Sequence, residues 1–180
     1  MKKFYTSEGD DGTTGILGRD RVSKNHPRIN AVGAVDESSA ALGFSRAQAD
    51  DLEIHQLVKN IQEELHQIMT LLVLEKPNPD KFPELDKSQV AWLEQKIDYY
   101  SDLVDQPQGF ILPGESIASA AFGVARTVVR RAERIVVQLH EDGFWISEGI
   151  LPYLNRLSSL CFVLELYISE HGTSQTGNNS

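Results

Sequence analysis

Residues 117–139 read IASAAFGVARTVVRRAERIVVQL, and this stretch decides the fold class. Its apolar side chains recur every three or four positions, which is the period of an amphipathic α-helix. The E-D-G of 141–143 predicts the end of that helix. The positions that we expect to face a core are Ile117, Ala120, Ala121, Val124, Val128, Ile135 and Leu139.

The same period returns in four other segments. They begin near Arg28, Ile54, Val90 and Leu151, and the last one ends near His171. Three prolines within 76–85 and the loop of 105–116 separate them. The sequence therefore predicts an all-α fold, an up-and-down, ferritin-like five-helix bundle over residues 28–171. Residues 1–27 are predicted to form an N-terminal functional loop with one short extended piece at FYTS, and residues 172–180 a disordered tail.

Composition excludes several classes of protein. The chain has 180 residues, a formal net charge of −9 and a single cysteine. An acidic chain without a basic tail is not suited to nucleic acid, and one cysteine cannot build a disulfide framework. No apolar stretch approaches the ~20 residues of a membrane span, and the lysines at the start precede no signal-like apolar run. We therefore expect a cytoplasmic protein that binds neither nucleic acid nor membranes.

The arginines of the 117–139 helix raise the question of what their positive charges contact. On a helical wheel, Arg126, Arg130 and Glu133 point away from the predicted core. Such a face is either solvated and stabilised by local ion pairs, or covered by an anionic ligand or another subunit. Asp36, close to the apolar stripe of the first helix, either reaches water at the edge of that stripe or pairs with Arg126 or Arg130 of a neighbouring chain.

The segment GDDGTTG (9–15) leaves two interpretations open as well. Its glycines and threonines can present N–H and hydroxyl groups to phosphate, and a turn-rich loop has the same composition. Two aspartates there would repel phosphate unless Mg²⁺ or a cation such as Lys24 intervenes.

Several segments in order resemble one family, the PduO-type ATP:cob(I)alamin adenosyltransferases. They are YTSEGDDGTTGILG (5–18), RVSK (21–24), RINAVGAVDE (28–37), FILPGES (110–116), ARTVVRRAER (125–134) and YLNRLSSLCFVL (153–164). The resemblance implies a homotrimer of five-helix protomers with active sites between subunits. It also implies transfer of the 5′-deoxyadenosyl group of ATP to Co(I) of reduced cobalamin, with release of triphosphate.

The resemblance assigns roles by position. The residues that would wrap the triphosphate are Thr6, Gly9, Thr14, Gly15 and Lys24. Those that would bind ATP or its Mg²⁺ are Arg130, Glu133, Arg134 and Asn155. Among these, Glu133 would be the metal ligand. Arg126 would pair with Asp36 of the next subunit, and Phe110 would press on the lower face of the corrin ring.

The first loop departs from the family pattern. Ser7 and Glu8 stand where the family usually has lysine and threonine. This departure favours one alternative, a non-catalytic trimeric module that binds cobalamin or a nucleotide. As an enzyme, the protein would have a cobalamin reductase and an adenosylcobalamin-dependent enzyme as partners.

Overall fold

The computed structural model describes residues 4–17 and 19–172. Its helices and strands are β1 (Thr13–Ile16), β2 (Arg19–Ser23), α1 (Pro27–Gln48), α2 (Leu52–Leu72), α3 (Lys87–Ser101), α4 (Ile117–Glu141) and α5 (Ile150–His171). The predicted all-α five-helix bundle is confirmed. The predicted disordered tail falls, apart from Gly172, outside the described residues.

Local sequence explains where the helices begin and end. Asp51, Asp86 and Ser116 cap the first turns of α2, α3 and α4 with side-chain oxygens that accept backbone N–H groups. Gly143 follows the end of α4 at φ +82°, in the left-handed region that glycine enters most readily. The E-D-G stop is therefore observed where the sequence predicts it.

The helices pack in the neighbour order α2–α1–α4–α5–α3. Ring contact between His26 and Phe144, with centroids 5.7 Å apart, places the start of α1 beside the end of α4, so these two helices run antiparallel. The core between the helices includes fully buried Phe122, Tyr153 and Cys161. Apolar burial of this kind supplies most of the stability of a helical bundle.

The core-facing side of α4 differs from the wheel prediction. Ile117 is 72% exposed and Val124 55% exposed, whereas Ala125 and Val129 are fully buried. The predicted direction is about a quarter turn from the observed one. Small residues face the core because α1 and α4 pack closely. The wheel prediction was wrong because it placed the larger apolar side chains toward the core. As a result Arg126 lies at the edge of the core and not opposite it.

The N-terminal segment contains a hairpin that the sequence did not predict. Strands β1 and β2 pair antiparallel, with Thr14 opposite Val22 and an irregular register at Gly15. No strand forms at FYTS, where a short extended piece was expected. Each strand makes its main contacts with the other strand, and Leu17, which follows β1, borders a cavity together with Leu74 and Phe82.

Among the helices that the structure describes, none is long and apolar enough to cross a membrane.

Candidate active site

Arg21 of β2 and Lys24, the residue that follows this strand, organise the loop that precedes β1. Arg21 donates hydrogen bonds to the carbonyl oxygens of Glu8 and Thr13, the latter at 2.9 Å, and its Nε donates to Thr13 Oγ1 at 2.8 Å. Asp11 accepts from the backbone N–H and hydroxyl of Thr13, and these hydrogen bonds hold the pKa of Asp11 below its ordinary value. The loop therefore has a defined shape without a ligand.

Lys24 crosses the same loop. Its Nζ donates to the carbonyl oxygen of Gly9 at 2.7 Å. A Cβ at Gly9 would lie 3.0 Å from that Nζ and 3.3 Å from Cε, so glycine leaves the room through which the lysine passes. Thr14 is half-buried, whereas Thr6 and Gly15 are exposed. Lys24 thus brings a positive charge to a loop rich in backbone N–H groups, which is the chemistry that a phosphate needs.

The arginines of α4 line one side of that helix. Arg126, Arg130 and Arg134 follow one another at four-residue intervals, which places them on neighbouring turns. Arg130 and Arg134 are exposed, and the Nη1 of Arg134 donates to the Arg130 carbonyl at 3.0 Å. Arg126 and Arg130 border a cavity of about 330 Å³ between α4 and α5, whose other lining residues are Ser158, Ser159, Phe162 and Val163.

An acid and an amide meet across the same two helices. Asn155 of α5 donates from Nδ2 to Glu133 Oε1 at 3.0 Å, and its Oδ1 accepts from Arg156 Nη1 at 2.9 Å. Arg156 is held in turn by Glu94 of α3 at 2.8 Å. The structure therefore brings two predicted site residues, Glu133 and Asn155, into direct contact, and fixes which end of the amide faces the carboxylate.

Arg126 has a partner that the sequence did not predict. Its Nε lies 3.5 Å from Oε2 of Glu165, a residue of α5 that is only 4% exposed. Burial raises the pKa of Glu165, and Arg126 lowers it by a smaller amount. The guanidinium also lies over the ring of Phe162, with Cζ 5.7 Å from the centroid. The arginine predicted to point away from the core is therefore anchored to α5 of its own chain.

The remaining predicted residues lie elsewhere on the surface. Asp36 is exposed on α1, and Phe110 is 92% exposed in the loop before α4. Within the described residues of this one chain, the N-terminal hairpin makes no extensive contact with α4 or α5. The two halves of the predicted site are thus separate in the protomer.

Sequence analysis did not identify two residues of the site region, Arg21 and Glu165. Arg21 lies in the quoted RVSK segment, and its alternation with Val22 on a short strand is the only signal that could have placed it under the loop. Glu165 interrupts the apolar run CFVLELY, and an acid inside such a run is a signal of a buried partner.

Comparison with known proteins gives a consistent result. The family model described as cobalamin adenosyltransferase matches residues 4–168. The corrinoid adenosyltransferase of Mycobacterium tuberculosis strain H37Rv is 37% identical, and the match covers 96% of this chain and 91% of that protein. The corrinoid adenosyltransferase PduO of Citrobacter freundii is 38% identical, but the match covers 89% of this chain and 48% of that protein. The chain therefore spans about half the length of PduO relatives of this kind.

Solved structures similar to this chain are of the same kind of protein as its sequence relatives. A phenylalanine-to-histidine variant of the PduO-type ATP:corrinoid adenosyltransferase from Lactobacillus reuteri, complexed with cobalamin and ATP, superposes with a TM-score of 0.85. It is 34% identical in sequence, and the match covers 93% of this chain and 91% of that one. An arginine-to-lysine variant of the same enzyme, complexed with ATP, gives a TM-score of 0.84. On these grounds the chain belongs to the cobalamin adenosyltransferase family.

Proposed function

We propose that the protein transfers the 5′-deoxyadenosyl group of ATP to Co(I) of reduced cobalamin. The observation that carries this proposal is the row of α4 arginines beside the Glu133–Asn155 pair, on a fold whose solved relatives are complexed with cobalamin and ATP. Co(I) is the nucleophile and attacks C5′ of ATP. A cobalt–carbon bond forms, the C5′–O bond breaks, and its electron pair leaves with the triphosphate.

The protein's contribution at the nucleotide is orientation and charge neutralisation. Arg130 and Arg134 present guanidinium groups that pair with phosphate oxygens in a bidentate manner. The N-terminal loop supplies the opposite wall, with Lys24 and the backbone around Gly9 toward the phosphates. Negative charge accumulates on the leaving triphosphate, so cations fixed in advance stabilise the transition state more than the ground state.

Mg²⁺ fits this arrangement as an ion shared with the nucleotide. Within the described residues no group of three metal-ligating side chains comes together, so the protein alone does not form a closed metal cage. Glu133, fixed by Asn155, offers one carboxylate. Mg²⁺ is commonly held by one or two carboxylates together with phosphates and waters, and when bound it would neutralise phosphate charge.

A homotrimer with sites between subunits accounts for the separation of the two half-sites. The exposed side of α1 and α4 carries Phe44, 54% exposed, and Val124, both two turns from the ion pair between Arg131 and Glu37. An apolar patch of this kind is typical of a surface that another protein covers. In such an assembly the loop of one protomer would close the α4–α5 cavity of the next, and Asp36 of one would approach Arg126 of the other.

Phe110 is proposed to act on the cobalt. Its ring is almost completely exposed, so its face is available to contact a ligand. Against the lower face of the corrin ring it would displace the lower axial ligand. Loss of an axial donor lowers the energy of the acceptor orbital, so Co(II) becomes easier to reduce. Partnership with a cobalamin reductase and an adenosylcobalamin-dependent enzyme, and a cytoplasmic location, remain predictions.

One assay decides between transfer and mere binding. The protein is incubated with chemically reduced cobalamin, ATP and Mg²⁺, and the absorbance change that accompanies cobalt–carbon bond formation is followed. We expect a change that requires ATP and protein together. Cobalamin binding without any such change, under strong reductant, would instead support the non-catalytic module.

A further inference from the structure

Glu165 is a buried acid that none of the roles above uses. It lies in the middle of α5, 4% exposed, with its carboxylate turned toward α4. The α4 residue opposite it is Gly123, where a Cβ would come within 2.8 Å of Oε1 and 3.2 Å of Oε2. Since real Cβ atoms do not approach so closely, glycine at 123 is what allows the carboxylate to occupy this position.

The ion pair between Glu165 and Arg126 is not arranged in a way that stabilises the fold. Arg126 Nε and Glu165 Oε2 are both buried, and neither has a hydrogen-bond partner among residues 4–17 and 19–172. Burial raises the pKa of Glu165 by more than Arg126 lowers it, so the attraction does not offset the loss of hydration. A charge kept in the interior at a net cost is more typical of a functional site than of a structural one.

The contacts of the Arg126 guanidinium indicate what function this unfavourable burial serves. Glu165 takes the Nε edge of the guanidinium, and the Phe162 ring lies under Cζ. The terminal nitrogens of Arg126 donate no hydrogen bond to any residue that the structure describes, and the side chain borders the α4–α5 cavity. The two contacts thus restrict the orientation of the arginine while leaving its terminal nitrogens available.

We infer that Glu165 is a positioning residue for Arg126, holding the Nε edge so that the terminal nitrogens face the corrinoid side of the site. The inference rests on the proposed function, because it takes the Arg126 end of that cavity to receive cobalamin and the Arg130 end to receive the nucleotide. Arg130, one turn along α4 and without such an anchor, stays free to follow the nucleotide. The α4 arginines are thereby divided into one anchored to α5 for the corrinoid and exposed ones for phosphate.

The test measures cobalamin affinity by calorimetry in Glu165→Gln, Arg126→Ala and the double variant, with turnover and melting temperature alongside. We expect Glu165→Gln to weaken cobalamin binding about tenfold, because a misplaced guanidinium no longer meets its ligand. The KM for ATP should stay unchanged, and the melting temperature should not fall, because the buried charge is held at a net cost. The double variant should bind no more weakly than Arg126→Ala alone, since Glu165 acts only through Arg126.

A matched control separates positioning from packing. Glu64→Gln changes another partly buried carboxyl, one that accepts a hydrogen bond from Tyr153 of α5 and whose pKa burial also raises. It should lower the melting temperature and leave cobalamin affinity unchanged. Gly123→Ala gives an independent perturbation, because its Cβ displaces the Glu165 carboxylate without removing the charge. Gly123→Ala should weaken cobalamin binding as Glu165→Gln does. It therefore tests the proposal even if Glu165→Gln does not fold.

The outcomes are distinguishable from failure of the proposed function. Wild-type protein that binds cobalamin but transfers nothing would overturn the enzymatic proposal and leave the affinity comparison intact. Additive losses in the double variant, or unchanged cobalamin affinity in Glu165→Gln and Gly123→Ala, would overturn the positioning role. Wild-type protein without cobalamin affinity would overturn both.

Discussion

Arg130→Ala tests the nucleotide half of the site. Arg130 is exposed and borders the α4–α5 cavity, so its removal takes away a charge without opening the core. Two unit charges 4 Å apart interact by about 4 kcal/mol at a dielectric constant near 20 and by about 1 kcal/mol in water. Because the side chain is exposed, we expect a loss between these limits, about 1.5–3 kcal/mol, which weakens ATP binding about 10- to 150-fold.

Stability should respond very little to the same change. Alanine is the best helix former, and exposed substitutions usually change the free energy of unfolding by less than about 0.5 kcal/mol. The assay is titration calorimetry with ATP and Mg²⁺, accompanied by a thermal melt. Lys59→Ala on α2, which also removes an exposed cation, is the control and should bind ATP as wild type does. A marked drop in melting temperature with unchanged ATP affinity would refute the assignment of Arg130 to the nucleotide.

Three further changes test other parts of the account. Phe110→Ala should slow adenosylation of Co(II) substrate under a mild reductant far more than that of pre-reduced Co(I), and equal slowing of both would contradict a role at the lower face. Ser7→Lys adds a cation to the N-terminal loop and should lower the KM for ATP by about fivefold, the effect of roughly 1 kcal/mol; a steady-state titration that shows no change would place the loop away from the phosphates. Burial raises the folded-state pKa of Glu165, which faces Arg126 of α4 and lies near Cys161 of its own helix. A carboxyl with a raised folded-state pKa stabilises the fold below its unfolded pKa and loses that contribution as the pH rises. Urea unfolding should therefore show wild type losing stability relative to Glu165→Gln as the pH rises above about 4, the ordinary range of a glutamate pKa, and a gain with rising pH would show that the ion pair stabilises the fold.

The number and position of the helices could be predicted because their signals are local. Proline-rich breaks, the E-D-G stop and apolar periodicity all act within a few residues. The direction in which each helix faces the core was harder to predict. On α1 the large apolar residues Ile29 and Val32 are only half-buried, whereas the small residues Ala31 and Ser38 are buried. Small residues mark a close helix contact, and periodicity of large side chains does not reveal it.

The site was predictable only in part for a related reason. The arginines and Glu133 are visible in the sequence as a charged face, but their partners lie on another helix. Contact between Glu133 and Asn155 joins positions 22 residues apart, and the anchoring of Arg126 depends on an acid in α5 together with a glycine in α4. Such long-range pairs follow from packing, which no local pattern encodes. The hairpin was missed because its strands are short and rich in polar residues.

In the proposed homotrimer, the N-terminal loop of one protomer completes the α4–α5 cavity of another. Lys24→Ala disables the loop and Arg130→Ala disables the cavity, so each variant alone should transfer adenosyl groups poorly. The decisive measurement is the activity of the two variants unfolded together and refolded as mixed oligomers. If each site takes its loop and its cavity from different chains, random mixing restores both intact halves in about a quarter of the sites, and activity should recover to about that fraction. Mixed oligomers no more active than the separate variants would show that each chain builds its site alone.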